Sequence, residues 1–370
     1  MKRVLQVFSS LNKGGAESRV MDLYRLVDKS QVQFDFAVTS SGEGFYSDEI
    51  RSMGGRIHYI KSWHEVGILG WFKQWKPIFG DVCLVHSHTG FDSGIIVFVA
   101  WLHGVKKRIS HARDMLPSSG RFHKQKEALL RWLMVTFSTD LIGCSHDSGD
   151  FIFGKRAMRK RGYFLPNAID FTRYEVENTF DRTAYREALG IAKDAFVMGS
   201  VGNLREVKNQ LLMLDILDAF RRNGKNAELV IAGEGDMRQK LEKHAEELGV
   251  EQYVHLVGQR NDIGPFLRSI DVFLLTSFTE GLPGSAVEAQ SINVPCVLSS
   301  TITRDVDVHA GLVSFVSLDA SPEEWMGRIV EQTSKPKPDR EETLRLLKKH
   351  NFDVKESLNM LLSIYFEGKA

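Results

Sequence analysis

The sequence predicts an α/β protein built from two Rossmann-like domains, and three observations support this. The chain has 370 residues, whereas a single domain commonly holds roughly 100–200. Continuous apolar runs such as Val4–Phe8 and Val272–Leu275 are typical of parallel strands buried on both faces. These runs alternate with segments of helical apolar period, as in right-handed βαβ units. Because the alternation occurs twice, we expect two such domains facing each other across a cleft.

The first series of elements occupies the N-terminal half. Its opening helix, Ala16–Val27, has apolar residues at 16, 20, 23, 24 and 27, the spacing of one helix face. Further helices are expected at Ser47–Met53, Ser93–Leu102 and Lys124–Phe137. Strands are expected at Val4–Phe8, Phe34–Val38, Ile57–Ile60, Asp81–His86, Lys107–His111 and Asp140–Cys144.

A polar segment, Tyr174–Ala184, interrupts the pattern and predicts a domain boundary near residue 170. The second series has expected helices at Gln210–Arg222, Met237–Leu248, Ile263–Ser269 and Pro283–Ile292. Its strands are expected at Phe196–Val201, Glu228–Ala232, Val254–Val257, Asp271–Leu275, Pro295–Ser299 and Val313–Val316. A last helical pattern, Val354–Tyr365, closes the chain.

Composition and charge exclude several classes of function. Hydrophobic residues make up 43% and charged residues 26%, which is ordinary for a globular protein and excludes disordered and collagen-like chains. The formal net charge of +1 argues against a general nucleic-acid binder, which needs a strongly basic domain. Residues 1–170 nevertheless carry 24 basic and 16 acidic side chains, a net charge of +8, and residues 171–370 carry 24 and 31, a net charge of −7. This asymmetry predicts two surfaces with different partners.

Cysteine usage and hydropathy predict a cytoplasmic protein. Cys83, Cys144 and Cys296 are far apart and form no C-x-x-C motif, which indicates buried thiols in a reducing compartment. The longest apolar stretch, Gly94–Leu102, is much shorter than the about 20 residues of a membrane-spanning helix.

Basic and aromatic residues of the first half have two interpretations. The basic runs form either ordinary solvated faces or a patch for the anionic inner face of the plasma membrane. The residues Trp71, Phe72 and Trp75 have helical spacing and are either core or an interfacial anchor. The basic runs are Lys106–Arg108, Arg121–Lys126 and Lys155–Arg161.

The most informative segment runs from Thr279 to Gln290. Glu280 follows an apolar strand, at the end where α/β folds bind ligands, and Pro283 suits the first position of a helix that contains Glu288. Free backbone N–H groups at such a helix start favour an anion. Carboxylates on either side suit hydroxyl groups of a sugar and a ribose. The alternative is that both glutamates are ordinary loop and helix-surface charges.

Three other turns could bind phosphate or base. The turn Val201–Gln210 places Arg205 and Lys208 at a strand end, where two cations could neutralise a diphosphate. The turn Val257–Ile263 could hold a base edge, and Asn12–Glu17 is a glycine turn that leads into a helix. The two imidazoles of His86-Ser87-His88 have two interpretations: they are part of a metal site, for which the sequence places no third ligand, or they line the cleft.

Together these segments resemble the glycosyltransferases of family 4, which have the two-domain GT-B fold, and the resemblance spans nearly the whole chain. It rests on V-L-Q-V-F-S-S-L-N-K-G-G-A-E, L-P-N-A-I-D, V-G-Q-R-N-D-I and E-G-L-P…V-E-A-Q. Within the family, the chain is most similar to enzymes of bacterial capsule and exopolysaccharide biosynthesis. The seven-residue interval between the two glutamates, in its E-G-L-P setting, is the most specific of these motifs.

The resemblance assigns roles in the second half of the chain. It implies that Glu280 contacts hydroxyls of the donor sugar, Glu288 holds the ribose and Lys208 binds phosphate. The backbone of Gly281 and Leu282 would donate near the phosphate and sugar. Two residues, Arg260 and Asp262, would lie in the loop beside the nucleobase.

In the first half, the resemblance sets Gly15, next to Gly14, against the donor diphosphate, and His111 near the donor sugar. Two departures from the family pattern stand out. Asn203 occupies a position where the family usually has arginine, and we expect Arg205 to supply the missing cation. The segment His111-Ala-Arg-Asp replaces the commoner H-S-H-N, a change that would alter the preference for acceptor or donor.

The resemblance implies a retaining, metal-independent hexosyltransferase that moves a sugar from a nucleotide sugar, for which it favours a UDP-linked donor, to a lipid-linked or growing saccharide. It implies an acceptor-side domain at 1–170, a donor domain at 171–350, and a helix at 351–370 that packs back on the first domain. No cofactor and no nucleic-acid partner are expected. Two alternatives stay open: a GT-B nucleotide-sugar epimerase and a non-catalytic nucleotide-sugar-binding protein.

Overall fold

A computed structural model describes residues 1–40, 42–115, 123–174 and 180–367 of the chain. The chain divides into two compact units, one formed by Met1–Ala168 with Asn351–Ala370 and the other by Ile169–His350. The division falls between Ala168 and Ile169, whereas the sequence placed it after Asp170. The C-terminal segment belongs to the first unit.

The first unit contains a seven-stranded sheet of order β3-β2-β1-β4-β5-β6-β7 in which all neighbouring strands are parallel. The strands are β1 Lys2–Phe8, β2 Val32–Val38, β3 Ile57–Tyr59, β4 Leu84–Ser87, β5 Lys107–Ala112, β6 Asp140–Gly143 and β7 Gly162–Phe164. The helices are α1 Gly15–Leu26, α2 Ser47–Ser52, α3 Trp63–Gly80, α4 Ser93–Leu102, α5 His123–Phe137, α6 His146–Phe153 and α7 Lys155–Arg161.

The second unit contains a six-stranded parallel sheet of order β10-β9-β8-β11-β12-β13. The strands are β8 Phe196–Val201, β9 Ala227–Ala232, β10 Val254–Leu256, β11 Val272–Leu275, β12 Cys296–Ser299 and β13 Val313–Val316. The helices are α8 Arg182–Ala188, α9 Gln210–Arg222, α10 Arg238–Leu248, α11 Ile263–Ser269, α12 Gly284–Ser291, α13 Pro322–Ser334 and α14 Arg340–Lys349. The last helix, α15 Val354–Phe366, returns to the first unit.

The two faces of the first sheet pack against different helices because side chains alternate along each strand. On one face, Val4 and Phe8 of β1 pack with α1 and α15. On the other face, Leu5 and Val7 pack with α3 and α4. The predicted two-sided burial of β1 is therefore confirmed.

Two interpretations of individual side chains are settled here. Trp75 is fully buried in the core beneath α3, with Trp71 and Phe72 packed partly buried against that core, so these residues are core rather than an anchor. The expectation of three buried thiols is wrong for Cys83, which is exposed, whereas Cys144 and Cys296 are buried.

The structure also contains elements that periodicity did not predict. α13 begins at Pro322 after Ser321, whose side chain and that of Glu324 form a reciprocal capping box, so a readable signal was present. Pro283 does not occupy the first position of its helix: it is the residue before α12, which begins at Gly284. No helix in the described part of the chain is both long and apolar enough to span a membrane.

Candidate functional site

Four loops of the second unit follow the carboxyl ends of neighbouring parallel strands. They are residues 202–209 after β8, 233–237 after β9, 257–262 after β10 and 276–283 after β11. Because the strands are parallel, these loops share one edge of the sheet, the usual place for a ligand in this architecture.

An ion pair joins two of these loops. Lys208 Nζ lies 2.6 Å from Glu280 Oε1, and Ser277 Oγ donates to the same oxygen at 2.6 Å. The loops are also joined by the Thr276 hydroxyl, which donates to the Asn209 carbonyl at 2.8 Å. The structure thus brings together two residues that are 72 positions apart in the chain.

Neither glutamate of the E-x7-E motif is an ordinary surface charge. The Glu280 side chain is 13% exposed, and Glu288 in α12 is 7% exposed. Gly281 and Leu282, between them, are buried as well. A buried carboxylate needs hydrogen-bonding partners to offset its desolvation, so this geometry favours the binding interpretation of the motif over the surface-charge alternative.

Arg205 differs from Lys208. Both Asn203 and Arg205 are exposed, and the guanidinium of Arg205 has no hydrogen-bond or ion-pair partner among the described residues. Between them Leu204 is fully buried, and its N–H donates to the Glu234 carbonyl at 2.9 Å. The loop is therefore fixed at Leu204, while Arg205 is an unpaired cation beside it.

Sequence reasoning missed Gly233 and Gly235, which bring the β9 loop against the β8 loop. A Cβ on Gly233 would lie 1.9 Å from the Gly202 carbonyl oxygen, and one on Gly235 would lie 2.2 Å from that of Leu204. No residue with a side chain fits at either position. The signal was a G-x-G pattern directly after an apolar strand, a pattern that marks close backbone approach.

Arg260 and Asp262 are paired with each other after β10. Two parallel hydrogen bonds join them, Nε to Oδ1 at 2.7 Å and Nη2 to Oδ2 at 2.6 Å, and Tyr185 of α8 donates to the same carboxylate at 2.7 Å. Hydrogen bonds from Arg260 and then Tyr185 lower the pKa of Asp262 to about 2. The side chains that were predicted to line the nucleobase loop thus also hold that loop in place.

In the first unit, Gly14 and Gly15 begin α1. Gly14 is the N-cap without a side-chain cap, and a Cβ there would lie 2.4 Å from Glu17 Oε2. A Cβ on Gly15 would meet no described atom within 4 Å. The helix start therefore has open space in front of Gly15, as the predicted approach of a phosphate requires.

His111 lies in a cluster of three buried histidines. Its Nδ1 is 3.1 Å from His86 Nε2, and the ligand atoms of His86, His88 and His111 all lie within 4.8 Å of one another. The fold thus supplies a third imidazole that the sequence did not place. Burial holds the pKa of all three rings well below the usual range, and the charge of Arg113 adds to this effect. The rings are therefore neutral at pH 7 and chemically able to bind a metal ion.

Arg113 itself is half-buried. Its Nη1 donates to Asn167 Oδ1 at 2.6 Å and its Nε donates to His88 Nδ1 at 3.3 Å. Desolvation lowers its pKa to about 10, so the guanidinium remains charged at pH 7. Among the described residues it forms no ion pair with a carboxylate.

Comparison with known proteins gives consistent matches. A family model described as glycosyl transferases group 1 matches residues 181–310. EpsF of Bacillus subtilis (strain 168), whose name calls it a glycosyltransferase, is 35% identical over 98% of this chain and 96% of its own length. CapH of Staphylococcus aureus, a capsular polysaccharide biosynthesis glycosyltransferase, is 28% identical over 91% of this chain and 92% of its own.

The solved structures give the same fold. HepE of Anabaena, crystallised in complex with UDP, matches with a TM-score of 0.80 at 18% identity over 98% of this chain and 99% of HepE. At that identity the likeness concerns the fold alone, and that fold is two Rossmann-like α/β domains of the GT-B class. The full-length match to EpsF shows the family that the sequence motifs indicated: this chain belongs to the glycosyltransferases.

Proposed function

We propose that the chain transfers a sugar from a UDP-sugar to a lipid-linked or growing saccharide during the synthesis of a cell-surface polysaccharide. The observation that supports the proposal is the ion pair of Lys208 and Glu280, because these are the cation and the carboxylate to which we assign phosphate and sugar binding. The name of CapH supports the pathway class, and the complexes of HepE with UDP and with UDP-glucose support the nucleotide.

The proposed reaction retains the anomeric configuration. The bond from the anomeric carbon to the donor phosphate oxygen breaks while a bond to the acceptor oxygen forms on the same face. The acceptor proton passes to the departing phosphate oxygen, so no side chain acts as a nucleophile. Lys208 and Arg205 stabilise the charge on the departing diphosphate, while Glu280 and Glu288 orient the sugar and the ribose. No step requires a metal ion.

A nucleotide-sugar panel tests this function. Thermal stabilisation of the full chain names the donor, because a ligand at 100 times its dissociation constant adds about 2.7 kcal/mol. With that donor, UDP release that depends on an added saccharide or lipid-linked acceptor supports transfer. Conversion of the donor to its epimer without acceptor supports the epimerase, and binding without turnover across a broad acceptor panel supports the non-catalytic alternative. Loss of activity with a chelator, restored by manganese, would contradict metal independence.

We also propose that the first unit contacts an anionic membrane surface. Lys155, Arg156, Arg159 and Lys160 of α7 are all exposed, and α7 buries no side chain. Arg161 is different, because its Nη1 donates to the Ser138 carbonyl at 2.9 Å. Of the basic run Arg121–Lys126, residues 121 and 122 lie outside the described residues.

The first unit also has exposed aromatic side chains. Trp101 of α4 is 47% exposed and Trp132 of α5 is 58% exposed, and the ring of Phe137 lies within 6.1 Å of both. Exposed tryptophan side chains suit a lipid interface, as exposed basic side chains do. Cosedimentation with phosphatidylglycerol vesicles should be almost abolished when the four exposed charges of α7 are changed to glutamine, since roughly 1 kcal/mol per charge amounts to roughly 4 kcal/mol. Equal binding by the variant, or equal binding to neutral vesicles, would contradict the proposal. Lys240→Gln with Lys243→Gln in α10 is the matched control.

A further inference from the structure

One face of the first sheet holds a continuous chain of hydrogen bonds that ends at His111. Gln6 of β1 is the register partner of His86 in β4, and His88 and His111 continue the same face, since alternate residues of a strand share a face. Tyr365 of α15 reaches this face from above. All five side chains are buried.

The direction of this chain is set at one end by Arg113, because a guanidinium can only donate. Its Nε–H donates to His88 Nδ1, so a neutral His88 carries its proton on Nε2. That N–H donates to Gln6 Oε1 at 2.9 Å. The amide of Gln6 is thereby oriented, and its Nε2 donates to the Tyr365 hydroxyl oxygen at 2.9 Å.

The second half of this hydrogen-bond chain runs from Tyr365 through His86 to His111. The tyrosine hydroxyl is 2.6 Å from His86 Nδ1, and donation to that nitrogen is the arrangement that leaves no hydroxyl proton unpaired. A neutral His86 then carries its proton on Nε2 and donates to His111 Nδ1 at 3.1 Å. His111 is left with its proton on Nε2, and this atom is buried without a hydrogen-bond partner among the described residues.

An unpaired buried N–H costs about 1–3 kcal/mol, so its presence calls for an acceptor that comes from outside the unit. We propose that His111 presents Nε2–H as a fixed, neutral hydrogen-bond donor to an oxygen of the bound substrate, and that Arg113 and Tyr365 are positioning residues that set its tautomer. His111 is then neither a general base nor, in this tautomer, a metal ligand, because Nε2 has no free lone pair.

The inverse tautomer makes the opposite prediction. If His86 carried its proton on Nδ1 and donated to Tyr365, His111 would donate from Nδ1 and expose a lone pair at Nε2. That atom could then accept a proton or bind a metal ion. The two arrangements differ by one observable, the protonation of His111 Nε2.

NMR of ¹⁵N-histidine-labelled full chain, without ligand, tests the tautomer. Long-range proton–nitrogen correlations of the ring should show His111 protonated at Nε2 and unprotonated at Nδ1. The Nδ1–H form, or a shift of the His111 signals on titration with Zn²⁺, would overturn the proposal. Arg113→Gln should lower the Nε2–H population of His111, whereas Arg51→Gln, an exposed control, should not. Tyr365→Phe, with Tyr59→Phe as its control, interrupts the hydrogen-bond chain at its centre. If one of the variants Arg113→Gln and Tyr365→Phe fails to fold, the other still tests the tautomer.

The substrate contact has its own test, which rests on the proposed function while the tautomer test does not. His111→Ala should reduce kcat/KM by about 10–100-fold, which corresponds to about 1.4–2.7 kcal/mol. His111→Gln retains a neutral N–H donor and should recover part of that loss. Equal loss in both variants would indicate a proton-accepting role, and no loss in either would indicate that a bound water fills the site. Either result would contradict a donor to substrate.

Discussion

The two units use opposite electrostatic strategies at the carboxyl ends of their sheets. In the second unit, charged side chains pair across loops, as in Lys208–Glu280 and Arg260–Asp262. In the first unit, buried neutral groups pass hydrogen bonds from one to the next, and a single guanidinium fixes their direction. A charged ligand can replace one partner of an ion pair. Hydrogen bonds among neutral buried groups, in contrast, keep the same donors and acceptors. We therefore expect the charged side chains that bind the diphosphate to come from the second unit, while the first unit contributes the backbone at Gly15 and orients the neutral part of the substrate through His111.

The largest expected effect is a loss of stability of the first unit at acidic pH. Three buried histidines with lowered pKa values remain neutral in the folded first unit, while their unfolded counterparts take up protons near pH 6.5. The free energy of unfolding of the first unit is therefore unaffected by these groups above pH 6.5 and falls as the pH drops below it, because the unfolded chain then binds more protons than the folded one, at no more than about 1.4 kcal/mol per histidine and pH unit.

Hydrogen exchange of the two units at both pH values checks this difference. After correction for intrinsic rates, protection of β1, β4 and β5 should fall much more than that of β8, β9 and β11. In the second unit the comparable histidines His244 and His255 lie 2.7 Å from the carboxylates of Asp215 and Glu228. Equal loss of protection in both units would contradict the expected difference in their stability at acidic pH.

The next largest effect concerns catalysis. Lys208→Ala should reduce kcat by a factor of about 100 or more, the scale for one lost transition-state contact, while the fold remains intact. Steady-state UDP release measures the rate, and Lys240→Ala, an exposed lysine of the same unit, is the matched control. Unchanged turnover would remove Lys208 from the phosphate site.

A smaller effect is expected for the nucleotide. Glu288→Ala should weaken UDP binding by about 10-fold, since a charge-assisted hydrogen bond contributes about 1.5–3 kcal/mol and part of the loss is offset by relief of its desolvation. Calorimetric titration of UDP measures the affinity, with Glu246→Ala of α10 as the control. The ribose assignment would not survive an unchanged dissociation constant.

The smallest effect is expected for Arg205, because its side chain is exposed and has no hydrogen-bond or ion-pair partner in the part of the chain that the structure describes. Arg205→Ala should lower kcat/KM by only a few-fold, since solvent screens an exposed charge. The reverse change, Asn203→Arg, restores the residue that the family usually has at this position. It should compensate for loss of Arg205 in the double variant. Failure to compensate would show that the two positions do not serve the same phosphate.

Sequence reasoning predicted the fold well because alternating strands and helices leave a strong periodic signal. Of the thirteen strands in the described ranges it placed twelve and missed β7, which has three residues and is only half-buried. It also missed α13 and α14, whose signals lie in their caps rather than in a long apolar stripe.

The candidate site was predicted unevenly for a physical reason. Motifs such as E-G-L-P carry their geometry in consecutive residues, so Glu280 and Glu288 could be found by spacing. The hydrogen-bond chain that ends at His111 depends on which strands are neighbours and on Tyr365, which is 279 positions from His86. No local pattern encodes such a contact, and Arg113 appeared in the sequence only as a departure from a motif.

The first unit is formed by two separate segments of the chain, which has a consequence for the order in which the two units fold. Because α15 covers the first sheet and supplies Tyr365, the first unit lacks part of its core until residues 354–366 have been synthesised. The second unit, encoded between the two segments, can fold earlier. A chain shortened before α15 would therefore carry a formed second unit together with a first unit that lacks Tyr365. If the second unit binds the nucleotide as proposed, such a chain would bind it without the hydrogen bonds that orient His111.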